Sequence, residues 1–277
     1  MPLVNFRCPD NELINKSECV TQCRMQSRCL TRSTLRVIAE DSSHEWDGVP
    51  HVTQLLNGTL MEYLRITREY SIRPKDRAFA LLGSSHHKLL DDGEEGTPRE
   101  RLLAGTISEL HLNVGYVQGT LDLLERDDGE LVLTDYKTWG SNRLARDMGY
   151  KQVFDPIKTP PDLAEVSMQM NCYRVMVREI YDWSVDRMQV QCTVRDGGLA
   201  IATKRGVKDS MYLIPVPMVD DGMVEMFFKA KSMMLVEALK HSDVLPEPCT
   251  PAETWNGNRC RAYCDVVEFC PVGISYL

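Results

Sequence analysis

Two carboxylates and a lysine, held close by a turn, are the first residues in this chain that could do chemistry. Residues 115–138 read GYVQGTLDLLERDDGELVLTDYKT. Asp122 precedes a polar turn, Asp127-Asp128-Gly129, and Asp135 and Lys137 follow it. A divalent ion takes hard oxygen ligands and keeps several waters. It polarises a phosphoryl oxygen and lowers the pKa of a bound water. A nearby ammonium group steadies the negative charge that develops. Asp122 and Asp135 as ligands, with Lys137 beside them, therefore suit metal-dependent phosphodiester hydrolysis. The bland alternative is a surface hairpin with ordinary charges, and the D-x-K pattern alone does not exclude it.

These residues need paired strands to position them. The pattern predicts strand, turn, strand, with Asp135 and Lys137 on one face and Tyr136 on the other. Before the hairpin, helices are expected at 33–40, from about 53 to 69 with Thr53 as cap, and from Pro74 to Leu90. A strand carrying Glu109 and His111 is expected before Leu112. After Thr138, the Gly- and Ser-containing segment 139–146 reads as a movable loop. Apolar residues Leu163, Val166, Met170, Tyr173, Val177 and Ile180 recur at helical spacing over 162–182. Strands are expected at 187–195, 200–204 and 211–219. Two prolines demote the last of these to an edge. A final helix is expected over 223–239.

The chain has 277 residues and a net charge of -8, with no apolar run of membrane-spanning length. A general nucleic-acid coat would be basic, so any nucleic-acid site must be a local groove. The first residues show no apolar signal region, and a cytoplasmic, reducing compartment is expected. In that setting clustered cysteines favour metal over disulfides. Eight of the ten cysteines form two quartets, Cys8, Cys19, Cys23, Cys29 and Cys249, Cys260, Cys264, Cys270, each spaced C-x10-C-x3-C-x5-C. Four thiolates suit tetrahedral zinc or an iron–sulfur cluster. Cys172 and Cys192 lie in apolar surroundings and read as packing. The expected division is an N-terminal four-cysteine module and linker at 1–48, a core at 49–245 and a C-terminal four-cysteine module at 246–277.

Four elements taken in order resemble the PD-(D/E)XK nuclease superfamily, in its RecB-like exonuclease branch, which includes the CRISPR-associated RecB-like exonucleases and the AddB nuclease domain. Gly83-Ser-Ser-His-His87 resembles the G-x3-H helix, with His87, four residues after Gly83, as the metal-ligating histidine. Gly119-Thr-Leu-Asp122 resembles the G-x-x-D strand and Asp135-Tyr-Lys137-Thr138 the D-x-K-T strand. Gln169-Met-Asn-Cys-Tyr173 resembles the Q-x3-Y helix, whose first and last residues share a face. The resemblance spans residues 50 to 185. It implies an α/β fold with a restriction-endonuclease-like core, a central mixed sheet flanked by helices. It also implies Mg²⁺ or Mn²⁺ held by His87, Asp122 and Asp135, with Lys137 assisting the attacking water and Gln169 and Tyr173 orienting the scissile strand. Glu109 could add a further acid near the site, but none of the four motifs requires it. The family also implies a [4Fe-4S] cluster at Cys260, Cys264 and Cys270. Its fourth ligand would be Cys249 or an N-terminal cysteine such as Cys29. The duplicated spacing favours zinc, above all at the N-terminal quartet.

The implied activity is a metal-dependent deoxyribonuclease, an exonuclease on single strands or DNA ends, with DNA and recombination or replication proteins as partners and no membrane. Arg143, Arg146, Lys151, Lys204, Arg205 and Lys208 could line a DNA channel, and Trp139 could stack on a base. Two rivals are a nuclease fold retained only for binding nucleic acid or protein, and a secreted, disulfide-rich binder.

Overall fold

In the computed structural model, residues 3–25, 27–41, 46–91, 95–149, 163–241 and 244–276 are described. The chain divides into two compact units. One joins Met1–Leu81 with Ala230–Leu277, and the other is Leu82–Lys229. The expected boundaries after 48 and 245 do not coincide with these units. Residues 49–81 and 230–245 pack with the two cysteine-bearing ends, through pairings between residues far apart in sequence.

The first unit opens with β1 (Leu3–Arg7), β2 (Leu13–Asn15) and α1 (Lys16–Thr21). β1 and β2 pair antiparallel, and the chain between them closes with Cys8 N–H donating to Glu12 O at 2.8 Å and Asn11 N–H to Cys8 O at 2.9 Å. Asn15 caps α1, its side chain accepting from Ser17 N–H at 2.9 Å. There follow α2 (Arg32–Asp41), α3 (Val52–Leu55), α4 (Thr59–Thr67) and β3 (Tyr70–Ile72), which adds parallel to β1. α2 lies where the spacing predicts it. Where one helix capped by Thr53 is expected to run to about residue 69, two form, and the N-cap of the first is His51, two residues earlier, because Gln54 folds back onto the His51 N–H at 2.8 Å. The N-terminal segment also contributes to a core, a cluster of Leu3, Phe6, Cys8, Ile14, Cys19, Leu35, Ile38 and Ile72.

The chain passes to the second unit within α5 (Ala78–Leu90), and where one helix is expected from Pro74, Pro74–Arg77 form a short 3-10 turn before it. Then come α6 (Pro98–Ala104), β4 (Thr106–Asn113), β5 (Gln118–Asp127), β6 (Glu130–Trp139), α7 (Ser141–Met148), α8 (Ala164–Tyr181), β7 (Arg187–Val194), α9 (Ala200–Lys204), β8 (Met211–Val216) and α10 (Asp221–Lys240). The fold is mixed α/β. Its central five-stranded sheet has the order β4-β5-β6-β7-β8, with flanking helices. Only the β6–β7 neighbours run parallel, and α8 makes that crossover. β8 is the edge strand, where the absent N–H of Pro215 is tolerated.

Asp128 and Gly129 take φ of 49° and 88° between the paired Asp127 and Glu130, the left-handed pair that a two-residue hairpin loop needs. β6 is central, and Leu131 through Tyr136 are all buried. Two expectations fail here. Residues 141–148 are helical rather than a movable loop, because Asp196 accepts both the Ser141 N–H and the Ser141 hydroxyl at 2.6 Å and so fastens the start of α7. Residues 200–204 form a helix rather than a strand. A run of five residues is too short for periodicity to separate the two.

The first unit ends with α10's second half and α11 (Asn258–Ala262). Arg65 of α4 spans Glu62 at 3.0 Å and Asp265 at 3.1 Å, and Arg77 adds a 2.8 Å contact to Asp265. Asn57 joins Glu62 at 2.8 Å to Arg259 at 2.7 Å. Glu62 is 3% exposed, and burial pushes its carboxyl up against the pull of Arg65 and Asn57. Breaking one member would strand the rest in a dry setting. Among the described residues, no helix is long and apolar enough to cross a membrane.

Candidate functional site

Three strands of the second unit bring three acids into one row. The β4–β5 register pairs Ser108 with Leu123 and Leu110 with Leu121, so Glu109 stands opposite Asp122. The β5–β6 ladder ends at the pair Leu123–Thr134, and Asp122 and Asp135 come next on the two strands, near enough for the charge of Asp135 to act on Asp122. Residues opposite one another on neighbouring strands share a face. The row therefore runs Glu109, Asp122, Asp135. Glu109 has a left-handed φ of 48°, rare for a residue with a side chain and concentrated at functional positions.

His87 comes down on one end of this row. Its Nδ1 lies 3.3 Å from Glu109 Oε1 and 3.4 Å from Asp122 Oδ1. Among the described residues, His87, Glu109 and Asp122 are the one group of three whose ligand atoms all fall within 4.8 Å of one another. Gly83, one turn earlier, faces β6, where a Cβ would make an ordinary 3.7 Å contact with Thr138 Oγ1. Both rings of the pair stand edge-on to Tyr136, His86 at 5.9 Å and His87 at 6.2 Å, but among the described residues the buried Nε2 of His86 has no hydrogen-bond partner. Burial, followed by the neighbouring His87, holds the His86 ring below its usual protonation range.

The other end of the row belongs to Asp135, which is 2% exposed. Lys137 Nζ meets its Oδ2 at 2.6 Å, and Gln169 Nε2 donates to its Oδ1 at 3.2 Å. Tyr173, one turn beyond Gln169 on α8, is buried. Burial, with Asp135 and Asp122 nearby, pushes its phenol far up, so it is a neutral donor at any working pH. Tyr136 N–H donates to Asp122 Oδ2 at 2.6 Å, which links the two ends.

Asp122 is the electrostatic centre. Its carboxyl is pushed up to about 8, first by burial and then by the charge of Asp135. Lys137 and the Tyr136 N–H pull the other way. A cation in the row would relieve this repulsion. One imidazole nitrogen and two carboxylate oxygens fit a divalent ion, with room left in its coordination for water. The donor set would suit Mg²⁺ or Mn²⁺, but the expected third ligand, Asp135, is not in this close group and Glu109 takes its place.

The six residues expected at the site, His87, Asp122, Asp135, Lys137, Gln169 and Tyr173, lie together in this unit, and Glu109, which no motif required, joins them. The sequence does contain a signal for Glu109. Gly115, at φ 83°, makes the tight β4–β5 turn, and counting back from it sets residue 109 opposite 122.

The expected DNA-contacting residues are placed differently. Trp139 is only 5% exposed and the Arg143 guanidinium covers its ring at 4.7 Å, so it offers no open face for a base. Arg143 and Arg146 both pair with Asp147, and Arg205 bonds Ser141 Oγ at 2.9 Å beside Asp196. Lys204 and Lys208 lie on α9 and just beyond it. Lys151 lies outside the described residues.

In the first unit, each of the eight clustered cysteines is a free thiol, as are Cys172 and Cys192. Cys249, Cys260, Cys264 and Cys270 line one small cavity, walled by Met61, Leu64, Val266 and Val272. Cys249 is therefore the local fourth member of the C-terminal set. Burial pushes Cys264 up to about 11, and raises Cys249 and Cys260 as well. Gly58 is required at this wall, since a Cβ would fall 2.2 Å from Cys249 Sγ. Cys29 lies instead with Cys8 and Cys23, all three near enough to Cys19 to raise its thiol pKa together with burial. Cys172 and Cys192 are buried in the second unit, and burial alone or first among causes raises both, as expected of packing thiols.

No protein-family model matches the sequence, and no curated protein matches it. A solved structure described as that of SSO0001 is 15% identical over 86% of this chain and 94% of that one, with a TM-score of 0.42. A likeness of that size assigns no function.

Proposed function

We propose that the chain is a metal-dependent deoxyribonuclease of the RecB-like type, with a restriction-endonuclease-like core, acting as an exonuclease on single strands or DNA ends. One observation carries the reading: residues from four separate motifs, between 87 and 173, meet around one row of acids, with His87 at Asp122 and both Lys137 and Gln169 at Asp135.

His87, Glu109 and Asp122 would hold the ion, with Asp135 adjoining. A bound Mg²⁺ or Mn²⁺ supplies Lewis acidity and a water of lowered pKa. Lys137 offers its ammonium to the attacking water and to the charge that develops on the phosphoryl oxygens. Gln169 fixes one oxygen of Asp135 and leaves the other to Lys137. Tyr173, neutral and buried, packs on the same helix face as Gln169 and stiffens it.

Hydrolysis of end-labelled single-stranded DNA with Mn²⁺ tests this. Asp135→Ala and Lys137→Ala should each slow cleavage by at least about a hundredfold. Variants that cut as fast as the wild type would remove the site from consideration. Metal-independent DNA binding with no cleavage in any variant would favour the binding-only rival.

A further inference from the structure

The C-terminal end of the chain carries aromatic rings that neither the row of acids nor the thiol cavity uses. Trp255, Tyr263 and Tyr276 are 37%, 65% and 38% exposed. We propose that these three rings, with Arg261, form a stacking surface for an unpaired nucleic-acid strand. The surface lies within the first unit and needs none of the residues around His87.

The backbone builds this surface. Trp255, Asn256 and Gly257 take φ of 50°, 54° and 84°, three left-handed residues in succession. For a bulky side chain this is an outlier, and such strain persists only where the surroundings hold it. Here Asn256 N–H donates to Pro251 O at 2.8 Å and Arg259 N–H to Thr254 O at 3.0 Å, and Gly257 then caps α11. The buried Arg259, which donates to Asn57 Oδ1 at 2.7 Å, lies over the Trp255 ring at 4.1 Å and backs it. Tyr263, one turn further on, sets its ring edge towards Trp255 with centroids 5.7 Å apart. Tyr276 packs against Gly257, where a Cβ would fall 2.9 Å from its ring, and Arg261 stands over that ring at 5.1 Å. The rings are thus held in place by their neighbours while much of each stays open to solvent.

Charge selects the occupant. Three carboxylates of this end are paired: Glu253 with Lys231 at 2.6 Å, Asp265 with Arg65 and Arg77, and Glu268 with Arg7 at 3.5 Å. Arg261 contacts neutral groups, the Tyr276 ring and Asn258 Oδ1 at 3.5 Å. Open rings beside such a cation suit bases strung on phosphates. The bases stack on the rings, and the guanidinium meets the backbone.

Fluorescence anisotropy of labelled oligo-dT and oligo-U with the full chain, with no divalent ion added, tests this. Both strands should bind, since a ring stacks on a base whatever its sugar, and the tighter of the two identifies the preferred backbone. An abasic strand of equal length should bind at least about tenfold more weakly, and so should either oligonucleotide to Tyr263→Ala. Tyr263→Phe keeps the ring and should bind as the wild type does. Arg261→Gln should lower the slope of affinity against salt by about one. The abasic comparison uses the wild-type chain, so it holds even where a variant fails to fold. Equal binding of the abasic strand, or wild-type affinity in a folded Tyr263→Ala, would overturn the proposal and leave the rings to a protein partner. A chain that binds through these rings and cuts no DNA would refute the nuclease reading alone, so the two proposals fail separately.

Discussion

Asp122 sets the pH behaviour of the metal-free site. Its folded-state pKa, about 8, lies far above the ordinary carboxylate value of 3.8. Between those values the folded state holds a proton that the unfolded state has released. Stability therefore falls as pH rises from about 4 to about 8. Denaturant melts of the metal-free chain should show this slope, and Asp122→Asn should flatten it. The same proton competes with the ion, so Mn²⁺ affinity in titration calorimetry should increase with pH up to about 8. Glu109 belongs at this scale as well. Glu109→Gln keeps the shape but removes a charge, and should weaken Mn²⁺ binding by at least about tenfold. An unchanged affinity would return Glu109 to the role of a bystander.

Among the elements, α7 shows how a distant residue decides local structure. Gly140 caps it without a side chain, and Ser141 carries both hydrogen bonds to Asp196 from beyond β7. Arg205 closes the group at Ser141 Oγ. Asp196→Ala would leave the Ser141 N–H and hydroxyl unmatched in a partly buried place, at a cost of about 1–3 kcal/mol. The expected result is a lower melting temperature and faster hydrogen exchange across 141–148, with the β5–β6 amides unchanged. The β5–β6 hairpin is the opposite case. Asp128-Gly129 suits the left-handed pair its loop demands, so the turn and its flanking strands are readable from a few neighbouring residues.

For the whole molecule, the two units carry different kinds of stabilisation. The second has a sheet with a buried central strand. The first has two sets of thiols and a charged network, so bound metal would contribute directly to its folding free energy. Stripping thiophilic metal with a chelator should therefore strip amide protection from 3–25 and 249–276 while β4 through β7 keep theirs. Uniform loss over both units, read by hydrogen exchange, would contradict that division.

The sequence by itself determined the hairpin, the helix that bears His87, the Q-x3-Y helix and the identical spacing of the two quartets. Each depends on turn chemistry or periodicity within a short window. It also placed Asp122 and Asp135 on the two adjacent strands of that hairpin. Tertiary structure alone decided which cysteines group together: Cys249 with the C-terminal three, Cys29 with the N-terminal three. It decided that 141–148 is a helix, that Trp139 is covered, and that residues 49–81 belong with the chain's ends. These outcomes rest on pairings such as Arg65 with Asp265 and Ser141 with Asp196. Loop closure over such separations leaves no local pattern, because the partners' proximity is created only when the intervening chain has packed.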